Sequence, residues 1–238
     1  MLVKDINVLG GLLNVDGTLF FIVFRPGAGY ELWKSDGTEA GTMLVYAPGP
    51  YAVTPLIGVN GVLFFSAANG LWRTDGTEAG TWLIREGILP GGVFSCAGGF
   101  AAVNGTLVFV GRDGNGCELW RSDGVTADLL MDINPGPASS MWRLEVSAQF
   151  RSVSGRALFS AYDDAHGIEL WATDGTSTTG MVQDIAPGAG WSSPRFFTPV
   201  GSLVFFTAND HVRGTELWAI SRSAIHRALN FPEPKAGP

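Results

Sequence analysis

The chain has 238 residues, of which 46% are hydrophobic, so it is long enough for one sizeable core or two small ones. Its net charge is −7 and its lysines are Lys4, Lys34 and Lys235, so an acidic surface is expected to disfavour nucleic-acid binding and membrane insertion. No apolar run approaches the roughly 18 residues of a membrane-spanning helix. Residues 1–25 do not read as a secretory leader, so we expect either a cytoplasmic protein or one whose leader has been removed.

A short phrase recurs five times and gives the strongest structural signal. It reads ELWKSDGTEAGT from Glu31 and decays to ELWAIS from Glu216. A period near 45 residues, on the order of the known propeller repeats, indicates a β-propeller or another stacked array. Its tryptophans lie 39 to 51 residues apart: Trp33, Trp72, Trp120, Trp171 and Trp218.

Four strands, A to D, are predicted in each repeat. Strand A ends in Val-Asn-Gly or a similar turn, strand B is an aromatic run such as TLFFIVF from Thr18, strand C carries ELW, and strand D reads TMLVYA from Thr42. Strand B is apolar at consecutive positions, which indicates a sheet that is buried on both faces. The Leu and Trp of ELW point to opposite faces, so each is expected to pack against a different neighbouring blade.

Two turn types are also predicted. Asn60-Gly61 and Asn104-Gly105 favour tight primed hairpins between strands A and B, because both residues must take positive φ. Between strands C and D, the Ser/Thr-Asp-Gly-Thr sequence predicts a turn in which Asp accepts hydrogen bonds from N–H groups two residues on.

The two ends of the chain are complementary. Residues 2–6 read as a strand D without strands A to C before it, and ELWAIS reads as a strand C without a strand D after it. We therefore predict an all-β, five-bladed β-propeller with four antiparallel strands per blade, in which residues 2–6 pair with residues 217–220 and close the ring. The predicted domain covers residues 1–221, with a loose tail or linker over 222–238. Its repeats are expected at about 1–42, 43–81, 82–127, 128–180 and 181–221.

The repeated phrase carries a family resemblance over nearly the whole chain. ELWxxDGT, with xxGTxxVxDI after it and VNGTLFF before the next copy, resembles the ELWxxDGT-repeat family of large bacterial proteins. The resemblance implies an extracellular or cell-surface location, with a cytoplasmic one left open, and it implies no reaction. The copies depart from the pattern at Gly70, Val125 and Ser221, which stand in place of Glu, Thr and Asp, so the blades are not equivalent.

The variable loops are the expected ligand site. The A–B and C–D turns are nearly identical copies at one end of the predicted ring, whereas the B–C and D–A loops at the other end differ. The D–A loops carry Tyr51, Phe94, Trp142 and Trp191 beside Ser, Asn and Gly, a combination that suits carbohydrate. Packing of these rings between blades is the alternative interpretation.

A comparison of two D–A loops argues against equal sites in all blades. Aligning Ser139-Ser140 with Ser192-Ser193 puts Trp191 before the serine pair, whereas Trp142 follows it. A multivalent lectin with identical pockets is therefore not expected.

Acidic residues also gather at the variable end. Asp113, Asp163 and Asp210 align in the B–C loops and are weak calcium candidates, although they match no known calcium loop; the alternative is that each Asp caps a solvated turn. No other cofactor is expected. The repeated glutamates at the start of strand C are expected to accept hydrogen bonds from N–H groups of a neighbouring loop: Glu31, Glu118, Glu169 and Glu216.

The best catalytic constellation pairs two loop histidines with acids. His166 and His211 occur in neighbouring B–C loops with Asp164 and Asp210, and such groups can serve general acid–base chemistry. No nucleophile elbow, metal motif or phosphate loop accompanies them. Solvated loop histidines are the alternative.

Three functions follow, in order of preference. The first is a non-catalytic binding propeller for a glycan or another small polar ligand, using Asp163, Asp210 and the D–A aromatic residues. The second is a structural or protein-interaction module of a larger surface protein, and the third is a hydrolase or lyase that uses the histidines. The sequence leaves the oligomeric state open. Cys96 and Cys117 are expected to be free buried thiols, with a disulfide as the alternative.

Overall fold

The computed structural model describes residues 2–88, 96, 99–141 and 150–230. Its strands form five sheets, numbered here in chain order. Sheet 1 contains β1 (Val8–Val15), β2 (Thr18–Arg25), β3 (Gly29–Ser35) and β4 (Met43–Gly49). Sheet 2 contains β5 (Val53–Val59), β6 (Val62–Ala67), β7 (Gly70–Thr74) and β8 (Trp82–Glu86). Sheet 3 contains β9 (Phe100–Val103), β10 (Thr106–Asp113), β11 (Gly116–Ser122) and β12 (Ala127–Met131). Sheet 4 contains β13 (Arg151–Val153), β14 (Arg156–Asp163), β15 (Gly167–Thr173) and β16 (Thr179–Gln183). Sheet 5 contains β17 (Arg195–Val200), β18 (Leu203–Asn209) and β19 (Thr215–Ser221).

Each sheet is an antiparallel meander of consecutive strands, which confirms the all-β prediction and the four-stranded repeat in sheets 1 to 4. The predicted repeat boundaries are displaced, because they separate strand C from the strand D that follows. In the structure β4 pairs with β3, so the first structural unit ends at Gly49 rather than at residue 42. The described part of the chain contains no helix long and apolar enough to cross a membrane.

The Leu and Trp of strand C pack as predicted between successive sheets. At the junction of sheets 1 and 2, Leu32 lies in one cluster with Phe65 and Trp72. At the junction of sheets 4 and 5, Leu170 lies in one cluster with Phe206 and Trp218. Each Leu therefore faces the following sheet, and each Trp from the second copy onward faces the preceding one. Burying a Leu side chain at such a junction contributes roughly 1.5–3 kcal/mol.

Both predicted turn types are present. Asn60 and Gly61 have φ of +50° and +75°, as a primed A–B hairpin requires. In the first C–D turn, the Asp36 carboxylate accepts hydrogen bonds from the Thr38 N–H (2.9 Å) and hydroxyl (2.7 Å). These bonds hold the pKa of Asp36 below its usual range. The same pattern recurs at Asp75 and Thr77.

The predicted ring closure by the N-terminal strand is wrong for this structure. Residues 2–7 form no strand, and β19 is an edge strand of the three-stranded sheet 5. The segment lies on sheet 1 instead: Ile6 packs against Phe21 and Trp33, and the Lys4 ammonium donates to the carbonyl of Thr42 (2.8 Å). Closing this short loop costs less entropy than pairing with residues on the order of 200 positions away.

The C-terminal segment is partly ordered, which corrects the prediction of a loose tail from residue 222. Arg222–Ala228 form helix α1, capped by the Ser221 hydroxyl, which accepts from the N–H of Ala224 (3.0 Å). Ile225 is buried in the cluster between sheets 4 and 5. The helix therefore belongs to the folded domain; residues 231–238 lie outside the described residues.

Cys96 and Cys117 form a disulfide, so the expectation of free thiols is wrong. The pairing was not evident from the sequence, since the two residues are 21 positions apart and their approach depends on the loop between sheets 2 and 3. The bond attaches that loop to β11, one residue before Glu118.

We predict that two leucines at the same position of the repeat differ strongly in their contribution to stability. Leu170 is fully buried, whereas Leu217 is 71% exposed. Leu170→Ala should lower the free energy of unfolding by about 2–5 kcal/mol, and Leu217→Ala by less than about 0.5 kcal/mol. Urea denaturation of dilute protein measures both. Equal losses would contradict an open ring, because they would mean that Leu217 is buried as deeply as its counterpart.

Candidate functional site

The loops of sheets 4 and 5 bring together most of the described candidate residues. Successive strands run in opposite directions, so the B–C turns and the D–A loop lie at the same end of the sheets. The candidate site consists of the B–C turns at residues 163–167 and 209–215 and the D–A loop at residues 184–194.

A buried glutamate shapes this D–A loop. The Glu169 carboxylate accepts hydrogen bonds from the N–H groups of Ile185 (2.8 Å) and Ser192 (3.2 Å) and from the Ser192 hydroxyl (2.6 Å). Its side chain is inaccessible to solvent, and burial raises its pKa. The carboxylate thus fixes both ends of the loop that carries Trp191.

Glu118 plays a similar role in sheet 3, where it anchors residues 133–140, but the other two glutamates do not. Its carboxylate accepts from the N–H groups of Ile133 (2.8 Å) and Ser140 (2.7 Å), which confirms the predicted loop-anchoring role. The prediction is wrong for Glu31, which accepts from the indole N–H of its own neighbour Trp33 (2.7 Å). Glu216 is exposed.

These glutamates correct the alignment of the two D–A loops by one residue. Ser140 and Ser192 make equivalent bonds to Glu118 and Glu169, so they are structural counterparts. Trp191 consequently corresponds to Ser139, which removes the match between the two serine pairs. The two sites differ at this position, in line with the expectation that the blades are not equivalent.

Trp191 is held from several sides and remains half-buried. Its ring makes an edge-on contact with Tyr162, with centroids 6.3 Å apart. The Nε2 atom of His211 lies 3.2 Å from both the main-chain N and O of Trp191, so it bonds one or the other according to its tautomer. A side chain at Gly167 would collide with Trp191, which shows how closely the B–C turn approaches the loop.

The two histidines belong to this group but are engaged differently. His166 Nδ1 lies 2.9 Å from the Asp163 carboxylate, and this contact raises the pKa of the imidazole. His211 contacts Trp191 instead, and the main-chain N–H of His211 donates to the side-chain oxygen of Asn209 (2.7 Å). Asp164 accepts from the Tyr162 hydroxyl (3.0 Å). Sequence reasoning missed Tyr162, although its position directly before Asp163 in an aromatic strand B was a usable signal.

The three aligned aspartates cap their own turns. Asp113 accepts from the N–H of Asn115 (2.8 Å), and Asp163 accepts from the N–H of Ala165 (2.8 Å). Asp210 accepts in the same way in its own hairpin. Throughout the described part of the chain, no group of three or more His, Cys, Asp or Glu side chains is arranged to hold a metal ion. The capping interpretation therefore accounts for these residues, and the calcium site stays an untested prediction.

Of the other predicted aromatic residues, Tyr51 alone lies among the described residues. Tyr51 is 57% exposed at the turn between sheets 1 and 2. Phe94 and Trp142 lie outside the described residues. The described site thus has one aromatic residue from the original set, Trp191, together with Tyr162.

Comparison with known proteins bears on the fold alone. Neither protein-family models nor curated proteins match this chain. The structure resembles that of a puromycin hydrolase mutant complexed with PGG (TM-score 0.53, 15% identity, 84% of this chain and 33% of that chain). It also resembles oligopeptidase B from Leishmania major (TM-score 0.50, 8% identity, 90% of this chain and 33% of that chain). The chain spans about a third of the length of either protein, and the likeness defines a β-propeller-like repeat fold.

We predict a pH dependence of stability that arises from Glu118. Burial raises its pKa from 4.5 to about 7, so the folded chain holds this proton more tightly than the unfolded chain does. Between those pH values the unfolded chain ionises this group more readily than the folded chain does, so the stability that arises from the bound proton is lost as the pH rises. Glu118→Gln cannot ionise, so its deficit in unfolding free energy relative to the parent should be largest below pH 4.5 and should narrow toward pH 7.

Urea titrations at several pH values provide the measurement, with Glu216→Gln as the matched control because Glu216 occupies the same repeat position and is exposed. A deficit of Glu118→Gln that widens with rising pH would refute the assignment.

Proposed function

We propose that this chain is a non-catalytic binding domain: a five-bladed propeller, open between sheets 5 and 1, whose ligand site is the loop surface around Trp191. The proposed ligand is a glycan or another small polar molecule. The observation that carries the proposal is the placement of half-buried Trp191: its ring makes an edge-on contact with Tyr162, and its main chain contacts His211.

The chemistry of these groups matches a sugar. The C–H face of a pyranose stacks on an aromatic ring, and its hydroxyls bond to nearby polar side chains. Tyr162, Asp164 and His166 supply donors and acceptors in the adjoining B–C turn. The main-chain anchoring of the loop by Glu169 reduces the ordering cost of binding, because the loop is already held at both ends.

The geometry supports binding more than catalysis. The Asp163 carboxylate that contacts His166 also accepts N–H groups of its own turn, as a turn-capping residue does. The other candidate acid, Asp210, accepts two N–H groups of its hairpin and pairs with Arg213 (3.1 Å). The hydrolase and peptidase names of the structural neighbours are not carried over, since the sequence identity is low.

A protein-interaction module is the second candidate, supported by apolar side chains that stay exposed on sheet 5, such as Leu217 and Val200. For either function we propose an extracellular or cell-surface location. The Cys96–Cys117 disulfide supports it, because disulfides persist in oxidising compartments.

We expect labelled protein to bind a subset of glycans on a broad array, and Trp191→Ala to lose at least about tenfold in affinity, since loss of a stacked ring costs on the order of 1.4 kcal/mol or more. Calorimetry with the best array hit measures the loss. Tyr51→Ala is the control, because Tyr51 is an exposed D–A aromatic residue away from this loop, and it should bind like the parent. Absence of binding by the parent, or unchanged affinity of Trp191→Ala, would reject the site.

A further inference from the structure

The packing rule between sheets leaves one unmatched face at each end of the array. In the sheet junctions within the chain, the Leu face of one sheet packs against the Phe and Trp face of the next. Among the described residues, no sheet follows the Leu face of sheet 5 and no sheet precedes the Trp face of sheet 1. The hydrophobic clusters of the described residues include none that joins these two faces.

The unmatched face of sheet 5, here called the Leu217 face, is apolar and open. Cross-strand pairing places Thr207 opposite Leu217 and Phe205 opposite Ala219 on this side, away from sheet 4. Leu217 is 71% exposed and Val200 is 56% exposed. The counterpart of Leu217 in sheet 4, Leu170, is fully buried by the next sheet. The Leu217 face thus has the composition of an internal junction without its partner.

The unmatched face of sheet 1, here called the Trp33 face, has only a thin cover. Ile6 packs beside Trp33, while the cationic groups of Lys4 and Arg25 lie 5.8 and 5.2 Å from the centre of the indole ring. Between residues 2–7 and the sheet is an open cavity of about 320 Å³. Its apolar lining comes from Val3, Ile6, Val8, Leu12, Leu19 and Phe21.

We propose that the Leu217 face of one copy of this chain binds the Trp33 face of a second copy, head to tail. The cavity beside Leu19 and Phe21 receives Leu217, as the adjoining sheet does at each internal junction. The contact is heterologous, so two copies form a closed pair if the rotation allows it, and a longer series if it does not.

Solution mass tests this proposal independently of the loop site. Light scattering and sedimentation from low to tens of micromolar protein should show the parent as a dimer or larger species, in a concentration-dependent equilibrium. Leu217→Arg should be monomeric, and its monomer should stay folded because the side chain is already exposed. Val125→Arg is the matched control: Val125 is 67% exposed in the C–D turn of sheet 3, and the variant should keep the mass of the parent.

Cross-linking then distinguishes association from closure of one chain on itself. Protein that is uniformly labelled with the heavy nitrogen isotope is mixed with unlabelled protein, and the mixture is treated with a zero-length carbodiimide cross-linker. Lys4 linked to an acidic residue within residues 195–221 should appear in mixed-isotope peptide pairs, and Leu217→Arg should abolish them. A parent that is monomeric throughout, a Leu217→Arg variant that keeps the mass of the parent, or cross-links confined to same-isotope pairs would each overturn the proposal.

Discussion

The packing of a strand C leucine against the aromatic face of the next sheet is the interaction on which the rest of this structure depends. Each sheet is apolar on both faces, so a single sheet cannot bury its own hydrophobic surface. Leu32 and Leu170 show the solution at two junctions, where each is completely buried by the following sheet. Because the sheets are stacked in this way, loops that are distant in sequence become neighbours at one end.

The candidate site is a product of that adjacency. Trp191 comes from the connection between sheets 4 and 5, and its two supports, Tyr162 and His211, come from one sheet each. A displacement between the two sheets would separate these side chains. The arrangement of the candidate site therefore depends on the Leu170 junction, so a change in packing there would also change the shape of this loop surface.

Local patterns in the sequence predicted most of the strands and turns, because their causes are local. The alternation in ELW set the Leu and Trp faces, and Asn60-Gly61 set a primed hairpin. The errors concern tertiary placement. Residues 2–6 have the pattern of a strand D, but this segment lies on sheet 1, where the Lys4 ammonium donates to the carbonyl of Thr42. The Cys96 pairing likewise depends on a loop path that no local pattern specifies.

For the site, the sequence predicted the residues better than their partners. Trp191, His166 and His211 were found as variable-loop residues, yet the role of Tyr162 appeared only when strand B of sheet 4 was placed beside the D–A loop. The acids show the same division. Their capping of their own turns follows from residue type, whereas the distances between the three aspartates depend on how the sheets are assembled.

The buried glutamates have a consequence for how such a surface can evolve. The Glu169 carboxylate anchors its loop mainly by accepting hydrogen bonds from main-chain N–H groups, which every residue except proline possesses. Ser192 also donates its hydroxyl, Ile185 is buried and Gly188 has a φ of +85°, so these positions are constrained. Other side chains of the loop can change while the main-chain bonds to Glu169 remain. The atoms that anchor this loop are thus largely separate from the side chains that it exposes, so its exposed surface can be altered by substitution without removing the anchor.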